Sequence, residues 1–363
     1  MSRVPVVALV AGGTGGHVMP ALAIAAALEG SGFRVHWIGT CRGLENEIVP
    51  RQGYPLTAFD LSGFRGRSGR LRAMALVEFA RAFVACVRLL PRLDVVAVVG
   101  MGGYASLPAG CAAWLVRRPL LIHEQNAVSG WSNRLLYPLA RRVLTSFPGA
   151  FPERARVRLV GLPVAPAIAA LPPPADRWRD RSGPARLLVL GGSQGAHRLN
   201  RLIGEILADW PADLPLLVRH QAGRGDCEAT RRACASYGDR VEVVPFFEDM
   251  AAAYGWADCV LARSGAATVA ELACAGLPAL LVPYPHAVDD HQTKNAQGLV
   301  GAGAALLVRE RDLDPPRIGR LLAGLLSDRA RLLAMAEAAR RLARPGAADA
   351  VVAEIRAVSR RLT

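Results

Sequence analysis

The sequence of 363 residues has almost no lysine: of its 44 basic residues, 43 are arginine and one is Lys294. A Walker-type phosphate loop needs a lysine directly after its glycines, and Lys294 follows no such spacing, so this class of site is excluded. Aromatic residues are also few, at 6%, but 52% of the residues are hydrophobic. That composition excludes a disordered chain, and the length predicts two domains.

Paired cysteines are missing as well. The seven cysteines are odd in number and scattered, and none belongs to a C-x-x-C pair or to a His/Cys zinc spacing. The pattern therefore predicts a reduced, cytosolic setting, plain buried thiols and no structural metal.

Long unbroken hydrophobic runs are the third absence. Val4–Leu28 has the position of a signal peptide, but the turn cluster Gly12–His17 interrupts its middle. Val95–Val116 is 22 residues long and uncharged, but Gly100–Tyr104 and Pro108 divide it into a strand, a loop and a helix. We therefore expect neither a signal peptide nor a transmembrane helix.

Short apolar runs alternate with helical patterns along the chain. Continuous Val, Leu and Ile runs are typical of strands that are buried on both faces of a parallel sheet. The predicted strands are Val4–Val10, Arg34–Ile38, Val95–Val99, Pro119–His123, Val143–Ser146, Arg186–Leu190, Leu214–Arg219, Val241–Pro245, Asp258–Ala262, Ala279–Pro283 and Ala304–Val308. The predicted fold class is α/β, with two Rossmann-like doubly wound parallel-sheet domains facing across a cleft.

The strand and glycine-loop pattern starts twice, at Gly12–His17 and at Gly191–His197. The stretch between them that is densest in proline, Pro163–Pro184, is predicted to be the linker. The predicted organisation is an N-terminal domain over residues 1–163, a linker over 164–184, a second domain over 185–344 and a final helix over 345–363 that packs back on the first domain.

Positive charge is concentrated in the first half. Residues 1–165 carry 19 basic and 8 acidic residues, whereas residues 166–363 carry 25 and 22. Gly63–Arg92 interleaves seven arginines with apolar residues, and Trp114–Arg118 adds an aromatic anchor. This pattern suits an anionic membrane surface, although a core-facing helix with a solvated arginine face remains the alternative. No nucleic-acid-binding motif accompanies the charge, so nucleic acid is not a predicted partner.

The first glycine loop, Gly12–His17, can bring backbone N–H groups close to an anion. Val18 stands at the third glycine position of the NAD fingerprint, and no acid ends the second strand, so NAD binding is not predicted. His17 is either a general base acting on a hydroxyl or a structural, helix-capping histidine.

Polar groups follow several other predicted strands. Ser193 can donate to a phosphate or cap a helix. The N-terminus of the helix that starts after Arg263 can hold a diphosphate, and Glu271, two turns into it, can accept from a ribose diol or face solvent. Asn126 and the loop His286–Asn295 offer donors and acceptors for sugar hydroxyls.

Together these motifs resemble the bacterial UDP-N-acetylglucosamine–N-acetylmuramyl-(pentapeptide) pyrophosphoryl-undecaprenol N-acetylglucosamine transferases. The resemblance covers nearly the whole chain. The motifs that carry it are Gly12–His17, Gly102–Tyr104, His123–Asn126, Gly191–Ala196, Arg263–Ala266 and Asp290–Ala296. It implies an inverting GT-B glycosyltransferase, without metal or cofactor, that moves N-acetylglucosamine from UDP-GlcNAc to the 4-hydroxyl of undecaprenyl-pyrophosphoryl-N-acetylmuramyl-pentapeptide.

The resemblance also implies roles for individual residues. His17 becomes the catalytic base, and the second domain holds most of the donor. The implied donor contacts are Thr14, Gly15 and Gly16 beside the sugar and phosphates, Asn126 on a sugar hydroxyl, Ser193 on a phosphate, the backbone of Phe247 on uracil, the segment Ala266, Ala267, Thr268, Val269, Ala270 and Glu271 on diphosphate and ribose, and Gln292 on the GlcNAc hydroxyls.

The sequence departs from the family at the end of the first domain. The family pattern Gly-Asn-Pro-Val-Arg is replaced by Gly161–Ala165, which ends in alanine, so the donor-binding arginine is not carried over.

The implied partners are UDP-GlcNAc, the lipid-linked acceptor and an anionic membrane, with other cell-wall synthesis proteins as candidates. The implied location is the cytoplasmic face of the inner membrane. A UDP-GlcNAc epimerase or another GT-B enzyme, and a nucleotide-sugar-binding or membrane-recruitment module without turnover, are the alternatives.

Overall fold

Two parallel β-sheets, one in each of two units, organise the chain. The computed structural model describes residues 4–13, 15–62, 69–191 and 196–359. The first unit comprises residues 1–165 and 345–363, and the second comprises residues 166–344. Each is a parallel β-sheet with helices, as the continuous apolar strands predict.

The first unit alternates strands and helices. Its elements are β1 (Val6–Val10), α1 (Gly15–Gly30), β2 (Arg34–Thr40), α2 (Glu45–Arg51), β3 (Leu56–Phe59), α3 (Gly69–Arg92), β4 (Val95–Gly100), α4 (Ser106–Leu115), β5 (Leu120–Glu124), α5 (Trp131–Leu136), β6 (Arg142–Thr145) and β7 (Val157–Leu159). The strand order is β3-β2-β1-β4-β5-β6-β7. The order reverses between β1 and β4, and ligands of such sheets bind where the loops diverge.

The second unit repeats this plan. Its elements are α6 (Pro166–Ala169), α7 (Pro174–Trp178), β8 (Ala185–Leu190), α8 (His197–Ala208), β9 (Leu216–Gln221), α9 (Cys227–Ala233), β10 (Val241–Val244), α10 (Met250–Trp256), β11 (Cys259–Ala262), α11 (Ala266–Ala275), β12 (Ala279–Leu281), α12 (His291–Gly301), β13 (Ala305–Leu307), α13 (Pro315–Ser327) and α14 (Arg329–Arg341). The strand order is β10-β9-β8-β11-β12-β13, with the reversal between β8 and β11.

The chain then returns to the first unit as α15 (Ala347–Ser359), which packs against α1. Its apolar face carries Val351, Val352 and Ile355 into the core formed by α1 and one face of the sheet. None of the helices in the described ranges is both long and apolar enough to cross a membrane.

All eleven predicted strands are present, with ends that differ by at most two residues. The prediction omitted β3 and β7, which lie at the two edges of the first sheet. Both are short and only partly buried, so neither has the continuous apolar run that marks a central strand.

The segment 164–184, expected to be a linker, is mostly part of the second unit. It forms α6 and α7, which pack against α11 and α14 respectively. Arg177 donates to the carbonyl oxygens of Ala275 and Gly276 at 2.6 and 3.0 Å. Arg181 is mostly buried and donates at 2.6 Å to the fully buried Asp258, to which Arg329 also donates at 3.1 Å. The prolines here begin short helices, and the arginines attach them to the unit.

Loss of the Arg181 side chain is expected to destabilise the second unit. Arg181→Met removes the closer of the two arginines that pair with buried Asp258 and leaves Arg329 at 3.1 Å, so it should lower the free energy of unfolding by about 2 kcal/mol. Arg179→Met is the matched control, because in the described part of the chain Arg179 forms only an exposed pair with Asp176. Urea unfolding of the full chain measures both, and equal effects would contradict the packing role of this segment.

Candidate active site

His17 lies in the first turn of α1, directly after the glycine loop. Its Nδ1 is 3.2 Å from Oε1 of Gln125, which follows β5. Because β5 neighbours β4, and β4 neighbours β1, the loops after these strands meet at the same edge of the sheet. The topology thereby brings together two groups that are 108 residues apart in sequence.

The orientation of Gln125 fixes the tautomer of His17. The Gln125 amide nitrogen donates to the carbonyl oxygens of Met101 and His123 at 2.8 and 3.2 Å. Its Oε1 is therefore the atom that faces His17 and accepts from Nδ1–H. The lone pair of the neutral imidazole is then on Nε2, which is the atom that can take up a proton.

Two glycines after β4 leave room for the imidazole. Gly102 and Gly103 have φ values of +86° and +75°. A Cβ on Gly102 would lie 3.4 Å from Cε1 of His17, and one on Gly103 would lie 4.0 Å from Cδ2. The positive φ values explain why glycine stands at these positions, whereas an added Cβ would meet the imidazole only at ordinary contact distance.

Burial lowers the pKa of His17 below its ordinary value. The negative charges of Glu124 and Glu45, and hydrogen bonds to Gln125 and to the Met101 backbone, act in the opposite direction but do not cancel it. The imidazole is therefore neutral at pH 7, as a general base must be.

Glu124 organises the loop that follows β5. It is buried, and its carboxylate accepts from the backbone of Asn126 and Gly130 at 3.0 and 2.8 Å. It also accepts from the Asn133 amide at 2.9 Å. Asn126 is half-buried on this loop, and its side-chain amide is 3.5 Å from Glu124.

In the second unit, α11 starts at Ala266 immediately after β11. No side chain caps its N-terminus. The Ser264 hydroxyl just before the helix is fully buried and has no hydrogen-bond partner in the described part of the chain. Free N–H groups and an unpartnered hydroxyl at the start of a ten-residue helix form a site suited to an anion.

Glu271 lies farther along α11. Tyr254 of α10 is buried and donates its hydroxyl to one carboxylate oxygen at 2.8 Å. Burial raises the pKa of Glu271 to about 7, and the Tyr254 hydrogen bond moderates this rise. Tyr254 therefore holds one carboxylate oxygen of Glu271, and this carboxyl group changes its ionisation near neutral pH.

Two further backbone groups have side-chain partners. The Phe247 N–H donates to Oε1 of Gln221 at 3.0 Å, and the Tyr284 N–H donates to Oε1 of Gln292 at 2.9 Å. The amide nitrogen of Gln292 consequently points away from Tyr284. Asp289, three residues before Gln292, has a φ of +55°, which indicates a strained loop.

Comparisons with known proteins agree with this architecture. Residues 7–145 match the Glycosyltransferase family 28 N-terminal domain, and residues 186–351 match the Glycosyltransferase family 28 C-terminal domain. A curated UDP-N-acetylglucosamine–N-acetylmuramyl-(pentapeptide) pyrophosphoryl-undecaprenol N-acetylglucosamine transferase from Acidithiobacillus ferrooxidans is 50% identical over 347 residues, which are 96% of each chain. The chain belongs to glycosyltransferase family 28.

Two other proteins support the assignment. A transferase of the same name from Alkalilimnicola ehrlichii is 50% identical over 95% of this chain and 96% of its own. The crystal structure of Acinetobacter baumannii MurG superposes with a TM-score of 0.82 at 38% identity, covering 97% of this chain and 99% of that one. The two α/β units thus form a GT-B type fold, which confirms the predicted fold class, and the chain is a glycosyltransferase.

The predicted site residues of this family-28 enzyme fall into two groups. His17, Gly15, Gly16 and Asn126 lie at the loop edge of the first unit, and Phe247, Gln292 and the segment Ala266–Glu271 lie in the second. The side chains of Ala266 and Val269 are buried, and the Val269 N–H already donates to the Gly265 carbonyl oxygen at 3.0 Å, so the uncapped N–H groups of α11 are those before Val269. Thr14 and Ser193 lie outside the described residues.

The sequence prediction missed several polar groups of the site. Gln125 and Glu124 stand in a motif that it singled out, but only Asn126 was given a role. Tyr254 and Gln221 belong to apolar helix and strand patterns that carry no local signal. Their importance follows from contacts with Glu271 and Phe247, 17 and 26 residues away.

Proposed function

We propose that this chain transfers N-acetylglucosamine from UDP-GlcNAc to the 4-hydroxyl of the lipid-linked N-acetylmuramyl-pentapeptide, with inversion, to give the disaccharide precursor of peptidoglycan. The observation that carries the proposal is the neutral, oriented imidazole of His17, in a chain that is 50% identical over 96% of its length to a transferase of this name.

The proposed chemical step is a direct displacement. Nε2 of His17 removes the proton from the 4-hydroxyl while that oxygen attacks the anomeric carbon of GlcNAc. The bond from this carbon to the UDP oxygen breaks, and UDP leaves with the bonding electron pair. Glu124 and Glu45 stabilise the imidazolium that forms, because both favour the charged form of His17.

The proposed donor site lies mainly in the second unit. The N-terminus of α11 and the Ser264 hydroxyl bind the diphosphate and stabilise the leaving group. The free oxygen of Glu271 accepts from the ribose diol, and the Gln292 amide donates to the GlcNAc hydroxyls. Because Gln221 already occupies the Phe247 N–H, uracil pairs with the Phe247 carbonyl, or Gln221 moves aside.

The predicted donor contacts of Thr14, Gly15, Gly16, Asn126 and Ser193 are retained in this proposal. They follow from the family resemblance and from their places in the glycine loops and in the loop after β5. Ala165 is exposed and uncharged, so it supplies no substitute for the family arginine.

The finer proposal for location is peripheral attachment to the cytoplasmic face of the inner membrane through α3. Three of its arginines, Arg72, Arg81 and Arg88, are exposed, as are three apolar residues, Met74, Leu76 and Val77. Met74, Val77 and Arg81 line a groove of about 660 Å³ along this helix. A basic helix with exposed apolar side chains binds anionic lipid surfaces.

The expected face of α3 is only partly available for this role. Phe79, Phe83 and Val87, which the sequence placed with the apolar stripe, pack against the core of the first unit. The neighbouring helix α4 adds exposed Trp114 and Leu115. Residues 63–68 of the predicted basic segment lie outside the described residues.

Donor binding is expected to depend on pH through Glu271. The ionised carboxylate can accept from both ribose hydroxyls, so affinity for UDP should fall as the pH drops through about 7. Tyr254→Phe removes a hydrogen bond that lowers the pKa of Glu271, and should weaken UDP binding at pH 7 by about three- to tenfold but much less at pH 8.5. Calorimetric titration measures this, with Tyr237→Phe as the control; a loss independent of pH would contradict it.

Turnover should depend on both acceptor and His17. UDP release from UDP-GlcNAc is expected only when a muramyl-pyrophosphoryl-lipid analogue is added. His17→Ala should lower kcat by about 10²–10⁴-fold with little change in UDP affinity. His36→Ala is the control, since His36 is a partly buried histidine bonded to Thr57. Release without acceptor would favour an epimerase, and full activity of His17→Ala would remove it as the base.

The pH profile provides a second measurement on the same variants. The lowered pKa of His17 places the acid limb of kcat/KM below about pH 6.5, the ordinary histidine value.

Charge reversal on α3 is expected to release the protein from anionic vesicles. Replacing Arg72, Arg81 and Arg88 with glutamate should weaken binding by about 100-fold or more, at about 1 kcal/mol for each basic residue removed. Vesicles of phosphatidylcholine with 30 mol% phosphatidylglycerol measure this in a flotation assay. Equal reversal of exposed Arg232, Arg317 and Arg320 in the second unit is the control. Equal losses would mean that only net charge matters.

A further inference from the structure

Glu45 is a fully buried acid at the start of α2. Its Oε1 accepts from the Thr40 N–H and the Thr40 hydroxyl, both at 2.7 Å. Its Oε2 accepts from the Gly13 N–H at 2.9 Å. Within the described ranges no arginine, lysine or histidine forms an ion pair with it, so these three donors compensate the buried charge.

Three glycines from separate segments leave space for this one carboxylate. A Cβ on Gly12 or on Gly43 would overlap the Glu45 carboxylate, and one on Gly39 would lie 2.7 Å from its Cγ. Gly12 belongs to the glycine loop, Gly39 to β2 and Gly43 to the turn before α2. The chain thus encloses Glu45 from three sides.

The Glu45 carboxylate connects the glycine loop after β1 to the end of β2, where the two strands no longer pair. Ala11 still donates to Ile38 of β2 at 3.1 Å, but the chain then turns away at Gly13, whose φ is +92°. Glu45 holds the Gly13 N–H, and the Leu44 N–H donates back to the Gly13 carbonyl at 3.3 Å. Both polar groups of this glycine are therefore held from the start of α2, four residues before His17.

The first glycine loop is consequently already bonded to an anionic group of the protein, the Glu45 carboxylate. The sequence indicated that its N–H groups could approach a phosphate, but the N–H of Gly13 is already bonded to Glu45. This part of the loop is set by an internal carboxylate, and its shape determines where α1 and His17 begin.

We propose that Glu45 is a positioning residue of the transfer reaction, which fixes the Gly12–Gly13 backbone so that His17 is held against Gln125 in the orientation of a base. This inference rests on the proposed function. A purely structural role would predict loss of stability without any change in the titration of the base. Glu45 also contributes negative charge that favours protonated His17.

The test compares Glu45→Gln with Glu47→Gln in the full-length protein. The amide of Glu45→Gln keeps the volume but cannot accept from both Thr40 and Gly13. Glu47 lies on the same helix, is exposed and pairs only with Arg51 in the described structure, so its substitution removes the same charge without touching the loop. Acceptor-dependent UDP release gives kcat and the KM for UDP-GlcNAc, and thermal unfolding reports stability.

We expect kcat of Glu45→Gln to fall by about 100-fold, as for small misplacements of a reacting group, with a change of less than about threefold in KM. The acid limb of its pH profile should move to lower pH, because His17 then faces Glu124 and His123 without the charge of Glu45. Gly43→Ala, whose Cβ displaces the carboxylate from outside the glycine loop, should lower kcat in the same way.

Two results would overturn the proposal. One is a kcat for Glu45→Gln within twofold of that for Glu47→Gln. The other is a lower melting temperature with an unmoved acid limb, which would assign Glu45 to stability alone. Absence of acceptor-dependent turnover in the unmodified protein would instead reject the proposed function, so the two failures are distinguishable.

Discussion

Backbone N–H groups beyond the carboxyl ends of parallel strands have no ladder partner, and the first unit satisfies them with buried carboxylates. Glu45 accepts from the N–H groups of Gly13 and Thr40, and Glu124 accepts from those of Asn126 and Gly130. An unpaired buried carboxylate would cost several kcal/mol, so each acid and its loop stabilise one another. These hydrogen bonds fix the loops around His17 through the chain's own carboxylates.

The same two carboxylates also contribute to the electrostatics of His17. Burial alone disfavours protonated imidazole, and it has the largest effect on the pKa of His17. Burial outweighs the opposing negative charges, so the imidazole is neutral at pH 7. In the proposed reaction, the cation that forms on His17 would be stabilised by carboxylates that are already in place. Preorganisation of this kind needs no rearrangement at the moment of reaction.

The sequence predicts the parts of this molecule that depend on local pattern. Central strands are continuous apolar runs, and the glycine loops follow them directly, so the fold class and the loops that carry the site are readable. The contacts that orient the site are not: His17 and Gln125 are 108 residues apart, and Gly13 and Glu45 are 32 apart. Nothing in the local sequence of Glu45, inside an ordinary amphipathic turn, indicates that three glycines enclose it.

Proline density is an equally local signal, and it does not distinguish a free connection from a segment that packs on a domain. The boundary between the units lies at Ala165 and Pro166. The chain beyond this boundary is not a free connection, because Arg177 and Arg181 bind carbonyl groups and Asp258 of the second unit. The long side chains of Arg177 and Arg181 attach this proline-rich segment to the second unit, and composition alone does not show such contacts.

The glycine loop of the first unit and the start of α11 in the second unit differ in their free polar groups, and this difference supports the proposed roles of the two units. In the first unit the Gly13 N–H is taken by Glu45, so an incoming phosphate would have to displace a charge-assisted hydrogen bond. In the second unit α11 has no side-chain cap, and the Ser264 hydroxyl has no partner in the described structure. An unsatisfied buried hydroxyl costs about 1–3 kcal/mol, which a ligand oxygen can recover. These contacts support the proposal that the diphosphate binds in the second unit, and that the glycine loop of the first unit positions His17 as the base.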